Sequence, residues 1–369
     1  RQLKFEELSP QNVVFAHIAL VPTILSGEQK TKPLQHSVRA LLGRGITPDL
    51  VVARAVNELD EKTKEKIALF CNVHPQEVFT SPNVENIYQL PLILEEQGVD
   101  ELVLRKLGLK KTGRDLHEWR VLVEKAKNAK KTINVAVIGK YATTKDTYMS
   151  VFEAITHAAL ANNVKANAVL IDSEEIERKK IDLSKYDAFV VPGGFGERGV
   201  EGIITAAQYA REHKKPYLGL CYGLQLAVIE FARHVLKYKD ANTTENKSDC
   251  AYPVIDFLPE QKTIKEKGGT MRLGAYDVAV KKGTRAFEAY GKEKIFKRFR
   301  HRYEINPQYV AQLEEAGFIF SGRDPQREIM KIGELRDHPF FVGTQFHPEF
   351  DSRLEEPEPL FKALIKASI

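Results

Sequence analysis

The chain has 369 residues, enough for two domains with separate cores, and its 43% apolar and 28% charged content is ordinary for a globular protein. No apolar run reaches membrane-spanning length and no signal peptide is visible. The net charge of +5 is spread among acidic residues and does not point to nucleic acid, while three widely spaced cysteines argue against a disulfide framework and a Cys-based metal site and fit a reducing cytoplasm.

Arg1 is not a methionine, and the opening residues read as the end of a helix or loop, so a preceding segment is expected. Residues 12–21 are apolar and β-prone, with His17 among them, and predict a buried strand. After the loop 26–32, Pro33 suits the first turn of a helix whose apolar stripe is Val38, Leu41 and Leu42. Lys30 and Lys32 stand at its start, where free N–H groups and the helix dipole also favour anions. That arrangement suits a triphosphate, although two loop lysines are by themselves more readily just solvated. Further along, 48–54 and 78–80 read as strands, and 60–70 as a helix with Ile67 and Phe70 inward. Residues 85–97 are helical with a break near Pro91. Such alternation predicts a parallel sheet covered by helices, here with too few strands for a whole domain. Residues 110–131 read as a linker. Within it, 115–129 predicts a bridging helix with Leu116, Trp119, Leu122, Val123 and Ala126 on one face, and its basic residues read as a solvated surface.

In the second region, 133–138 is a strand ending in Gly139-Lys140-Tyr141, but no dinucleotide fingerprint follows. A helix at 147–160, a strand at 167–171 and a strand at 188–191 come next. The last runs into Pro192-Gly193-Gly194-Phe195-Gly196, a loop whose backbone N–H groups suit an oxyanion. After the helix 202–212, Tyr217–Leu220 runs into Cys221-Tyr222-Gly223, and apolar residues then recur at helical spacing. That is a strand, a sharp turn and a helix, with Cys221 at the turn near a partly positive helix start, where a thiolate is favoured. The flanking Gly219 and Gly223 let the backbone bend and the helix begin close to the strand. Asn242–Glu245 reads as a polar loop, 270–280 as a strand, and 298–305 as alternating basic and apolar residues. Late in the chain, an apolar strand ends in Phe346-His347-Pro348-Glu349. His347 and Glu349 lie two apart in an extended segment, so they can share a side. A cysteine nucleophile needs a base, and the base needs a carboxylate to fix its tautomer; Cys221, His347 and Glu349 supply that set. The alternation of strands and helices predicts a doubly wound α/β domain with its ligand at the carboxyl ends of the strands.

Pro-Gly-Gly-Phe-Gly, Gly-Leu-Cys-Tyr-Gly-Leu-Gln and Phe-His-Pro-Glu-Phe resemble the class I (triad) glutamine amidotransferases. Gly27–Pro33, Gly268–Gly274 and Arg300-His301-Arg302-Tyr303-Glu304 narrow the resemblance to the CTP synthase family, over nearly the whole chain. It implies a doubly wound class I glutamine amidotransferase domain at 132–369, a linker at 113–131, and at 1–112 the C-terminal half of a P-loop-type α/β synthase domain. No Gly-x-x-x-x-Gly-Lys-[Ser/Thr] phosphate loop occurs in the chain. The resemblance implies that Cys221, His347 and Glu349 are catalytic, that Gly193, Gly194 and Tyr222 form the oxyanion site, and that Gly194, Gln225, Glu245 and Arg302 bind glutamine. It assigns Lys30, Lys32, Gln35 and Lys66 to UTP or CTP, and Phe195 and Arg198 to a GTP effector. Substrates are then glutamine, UTP and ATP with Mg²⁺, whose ligands are not expected in this chain. GTP is the expected activator and CTP the inhibitor of a cytoplasmic homotetramer with no tightly bound organic cofactor and no nucleic-acid or membrane partner. A stand-alone glutamine or glutamyl hydrolase of the same fold, and a non-catalytic regulatory or filament form, remain open at this point.

Overall fold

The computed structural model describes residues 2–111, 113, 115–140, 145–257, 272–327 and 329–369. The chain divides into two compact units, 1–123 and 124–369. In the first, β1 (Ala16–Leu20), α1 (Lys32–Leu42), β2 (Leu50–Arg54), α2 (Glu61–Cys71) and β3 (Val78–Ser81) are followed by α3 (Leu90–Glu96), α4 (Val99–Lys106) and the start of α5 (His117–Asn128). The strands form a three-stranded sheet in the order β1-β2-β3, parallel throughout. Val51 and Ala53 of β2 pack with Leu34, Val38, Ile67 and Cys71 on one face, while Leu50 and Val52 pack with Phe79 and Leu102 on the other.

Three details differ from expectation. β1 is not buried: Ile18 is 67% exposed and Leu20 59%, because β1 pairs with β2 along one edge and its alternate side chains face away from this unit's core. Phe70 is 46% exposed, since the helical phase set by Ile67 and Cys71 turns it outward. Pro91 does not break a helix; it occupies the first turn of α3, after a single 3₁₀ turn at Ile87–Gln89. On α5, Trp119 donates its indole N–H to the Tyr88 carbonyl at 2.7 Å. The expected inward position of Ala126 lies outside the described side chains.

The second unit runs β4 (Lys131–Gly139), α6 (Met149–Ala161), β5 (Val164–Asp172), α7 (Ser173–Glu177), β6 (Ala188–Val191), α8 (Val200–Glu212), β7 (Tyr217–Leu220) and α9 (Tyr222–His234). It continues with β8 (Ala241–Thr243), β9 (Tyr252–Phe257), β10 (Arg272–Val280), α10 (Arg285–Tyr290), β11 (Lys294–His301) and β12 (Tyr303–Ile305). Last come α11 (Val310–Glu315), β13 (Phe318–Arg323), β14 (Met330–Leu335), β15 (Phe341–Thr344) and α12 (Pro359–Ala367). A nine-stranded sheet, β11-β10-β13-β14-β15-β7-β6-β4-β5, carries the unit. From β15 to β5 it is parallel, and from β11 to β15 antiparallel. The parallel part is the doubly wound α/β fold expected; the antiparallel extension was not read from the sequence. A small sheet, β12-β9-β8, lies apart from it.

Alternation on the strands sorts side chains between two cores. Ala136, Ile138, Phe189 and Val191 face α8 and α9, whereas Val135, Val137, Val190 and Leu218 face α6 and α12. Both faces are therefore covered, as a parallel sheet requires. Among the described residues no helix is long and apolar enough to cross a membrane. Gly268-Gly269, expected as a turn, and the first two residues of the expected strand 270–280 lie outside the described residues.

Candidate active site

The parallel register assembles the site. Val191 of β6 pairs with Gly219 of β7, and Thr344 of β15 pairs with Leu220. Continued past the strand ends, this pairing sets Gly193 on one side of Cys221 and Gln345 on the other. The Cys221 N–H donates to the Thr344 carbonyl at 2.6 Å, tying the elbow to β15. The bend sits on the cysteine itself: Cys221 has φ 52° and ψ −96°, a region that L-residues rarely adopt. Gly219 and Gly223 have ordinary φ and serve by lacking a Cβ. One at Gly219 would lie 2.6 Å from the Gly223 carbonyl carbon, and one at Gly223 would lie 2.4 Å from the Val191 carbonyl oxygen. They are the cost-free contacts that let α9 start against the sheet, so the bending expected of them falls to Cys221.

His347 and Glu349 do meet, though not along an extended segment. Pro348 opens a short 3₁₀ turn, Pro348–Asp351, which folds Glu349 back so that its Oε1 lies 2.8 Å from His347 Nδ1. With Nδ1 engaged, the other ring nitrogen is left for Cys221. Burial disfavours the imidazolium, but hydrogen bonds and charge from Cys221 and Glu349 outweigh it and lift His347 to about 10. A Cβ on Gly193 would lie 2.9 Å from His347 Cε1 and 3.7 Å from the Cys221 Cβ, so this glycine is needed by close approach.

Other predicted residues gather around these. Gly194 lies beside Tyr222 and Lys140. The Gly196 N–H donates to Glu245 Oε1 at 3.4 Å, and Tyr222 Oη donates to the Gly196 carbonyl at 2.8 Å. Burial raises the Glu245 carboxyl, against the Gly196 hydrogen bond and the positive charges of Lys140 and Arg302. Glu245 and Arg302 thus share one electrostatic neighbourhood. Gln225 is buried, its Nε2 donating to the Tyr303 carbonyl at 2.9 Å. Phe195 is exposed, and Arg198 donates to the Lys140 carbonyl and lies 3.6 Å from Glu174.

Three residues that the sequence reading did not select complete the cluster. Lys140, at the end of β4, donates to the carbonyls of Phe195 (3.0 Å) and Gly196, with its ammonium 4.5 Å from the Tyr222 ring centroid. Burial pushes it down to about 8, Glu245 opposing that shift. Asn246 donates to Tyr222 Oη at 2.9 Å. Gln345 Nε2 lies 3.4 Å from Cys221 Sγ. Only the last had a visible signal, as the residue preceding Phe346-His347.

In the first unit Lys30 pairs with Glu28 at 2.5 Å, and that hydrogen bond, with charge from Lys30 and Lys66, lowers the Glu28 carboxyl. Lys32 is the first residue of α1, and Gln35 is buried, donating to Thr31 Oγ1 at 3.0 Å. Lys30 and Lys66 therefore share an electrostatic neighbourhood, whereas Gln35 is turned into the fold. Among the described residues no group of His, Cys, Asp and Glu could hold a metal ion.

The family model for glutamine amidotransferase class-I matches residues 143–367, and that for the CTP synthase N-terminus matches 1–109. CTP synthase of Carboxydothermus hydrogenoformans is 50% identical over 372 aligned positions, covering 100% of this chain and 69% of that protein. CTP synthase of Thermococcus gammatolerans is 47% identical with the same coverage, 100% and 69%. Among solved structures, the glutaminase domain of Trypanosoma brucei CTPS with bound acivicin matches at 35% identity and a TM-score of 0.60, over 64% of this chain and 93% of that one.

Proposed function

The chain belongs to the CTP synthase family, and on that premise we propose that its second unit releases ammonia from glutamine for the ATP-dependent amination of UTP to CTP. The observation that carries the reading is a strained cysteine elbow facing a histidine held by a carboxylate at 2.8 Å.

His347 takes the Cys221 proton and the thiolate attacks the side-chain amide carbon of glutamine. The oxygen of the tetrahedral intermediate is held by the N–H groups of Gly193 and Gly194, with that of Tyr222. His347 returns its proton to the nitrogen, the C–N bond breaks, and ammonia leaves a thioester on Cys221. His347 then removes a proton from water, hydroxide adds to the thioester, and glutamate departs as the thiol is restored. Glu349 keeps the imidazole in the right tautomer. Glu245 takes the substrate ammonium, Arg302 its carboxylate, and Gln225 and the Gly194 backbone supply further glutamine contacts. The raised His347 and the Glu245–Arg302 neighbourhood support these roles.

Lys30, Lys32, Gln35 and Lys66 are proposed to hold the UTP or CTP phosphates and base, and Phe195 and Arg198 to answer to GTP. ATP is proposed to bind with Mg²⁺; the described residues offer no ligand cluster for the ion, so no step here runs through it. The protein is proposed to work as a homotetramer. The match of residues 1–109 to the CTP synthase N-terminus favours this reading over a stand-alone hydrolase. The test is ammonia release from glutamine by this chain and by Cys221→Ala, with and without GTP. Release that depends on Cys221 is expected; release that survives the substitution would end the reading.

A further inference from the structure

We infer that Gln345 is a positioning residue for the Cys221 sulfur: its side-chain amide is locked with the N–H₂ end toward Sγ and holds the thiolate for attack. The inference rests on the glutaminase reading above and adds a residue to it. The lock can be followed link by link. A backbone carbonyl can only accept a hydrogen bond. Gln225 Nε2 lies 2.9 Å from the Tyr303 carbonyl oxygen, so the nitrogen end of Gln225 must face it. The same nitrogen donates to Gln345 Oε1 at 3.2 Å. With its oxygen committed there, Gln345 has only N–H₂ to present to Cys221, where Nε2 is 3.4 Å from Sγ. The two ends of an amide are normally hard to tell apart, but here one main-chain carbonyl sets the polarity of both side chains. Gln345 is also fully buried, and its backbone N–H donates to the Lys331 carbonyl at 2.8 Å, so the side chain has no route outward.

The sulfur has a competing neighbour. The Arg300 carbonyl oxygen lies 3.7 Å from Sγ and can accept the S–H of a neutral thiol, but offers nothing to a thiolate. The Gln345 amide does the opposite: it donates to the anion and offsets the carbonyl. His347, backed by Glu349, is the charged group hydrogen-bonded to the sulfur. Gln345 is neutral, so its donation persists whichever protonation state the imidazole is in. It also fixes where the sulfur sits relative to Gly193, on the opposite side of the elbow.

The experiment is the pH profile of Cys221 alkylation by iodoacetamide, mapped to that residue by mass spectrometry, in the unaltered chain, Gln345→Met and Gln345→Glu, alongside glutamine turnover. Methionine keeps the length and removes the donor; glutamate replaces the donor with a carboxylate. Alkylation at pH 7 should slow about tenfold in Gln345→Met and further in Gln345→Glu, with the gap closing at alkaline pH. The kcat should fall with it while KM for glutamine changes little. Alkylation and kcat equal to those of the unaltered chain would overturn the inference. If neither variant folds, the Gln345 side-chain amide protons of the unaltered chain can be followed by NMR. They should shift with the same pH midpoint as Cys221 alkylation, and an unmoving resonance would overturn the inference. A reactive Cys221 in a chain that leaves glutamine intact would end the glutaminase reading while the alkylation comparison still decides on Gln345. No selective reaction at Cys221 overturns both.

Discussion

At the carboxyl ends of β6, β7 and β15 Cys221, His347 and Glu349 are largely enclosed and hold one another; around Lys30 in the first unit the candidate lysines are half-buried or exposed and meet chiefly through charge, with Gln35 alone turned inward. Cys221 is tied by its N–H to Thr344 and touched at the sulfur by Gln345, while His347 is clamped by Glu349. Lys30, by contrast, is paired with a neighbouring exposed glutamate, and Lys66 acts on the same carboxylate from α2. The difference matches what the two proposed tasks would require. Moving a proton and holding an oxyanion demand positions fixed to a fraction of an ångström, in a place where water does not compete. Gathering a polyanion needs only positive charge at a helix start, and long solvated side chains suffice. Substitutions should therefore act steeply in the second unit and gently in the first.

The steepest effect is expected at Cys221. Cys221→Ala should lower ammonia release by about 10⁴-fold or more, measured as initial rate at saturating glutamine. Cys221→Gly should be equally inactive yet melt at a higher temperature than Cys221→Ala, because glycine accepts the φ of 52° without the strain, by about 1–3 kcal/mol. Equal melting points would show the elbow to be relaxed. Next is Glu349→Gln, which keeps the shape but loses the charge that steadies His347; kcat should fall about a thousandfold with KM little altered. A loss of tenfold or less would move Glu349 out of the catalytic set.

Gly219→Ala comes third and reads stability rather than rate. Its Cβ would sit 2.6 Å from backbone, which cannot rotate away, so denaturant unfolding should show a loss of about 3 kcal/mol. The pH dependence of stability is more gradual, spread over several pH units. Because His347 is lifted from 6.5 to about 10, its contribution is full below pH 6.5, declines as pH rises from there, and is gone above about pH 10. The melting temperature of the unaltered chain should thus fall over that window more than that of Glu349→Gln; parallel curves would contradict the pairing. The mildest change is Lys30→Ala, expected to weaken UTP binding about tenfold or less, with the deficit shrinking at high salt. An effect as steep as those at Cys221 would erase the contrast between the two units.

Much of the second unit was legible because its signals are local. The glycines around Cys221, the run into Gly193-Gly194 and the Phe346–Glu349 stretch each report a strand end through neighbours in the chain. The same locality misled in places. Reading 12–21 as buried took its apolar character as proof of cover, yet Ile18 and Leu20 stand on the open face of β1. Placing His347 and Glu349 along an extended segment missed the turn begun by Pro348. The contribution of Lys140 could not be read at all: a lysine after β4 becomes a buried partner of Phe195 and Gly196 only because β4 and β6 are neighbours in the sheet.

The residue types, their spacing and the alternation of strands with helices determined by themselves that this chain holds a cysteine elbow, a histidine with a carboxylate and a glycine loop on an α/β scaffold. That information is carried by contacts between near neighbours, where backbone geometry leaves few choices. Tertiary structure alone decided that Gln345 joins His347 at the Cys221 sulfur, and that the glycines of the elbow serve by close packing while the cysteine bears the strain. Those outcomes depend on parallel register between strands far apart in the chain. Register is set by packing on both faces of the sheet at once, so no local stretch of residues encodes it.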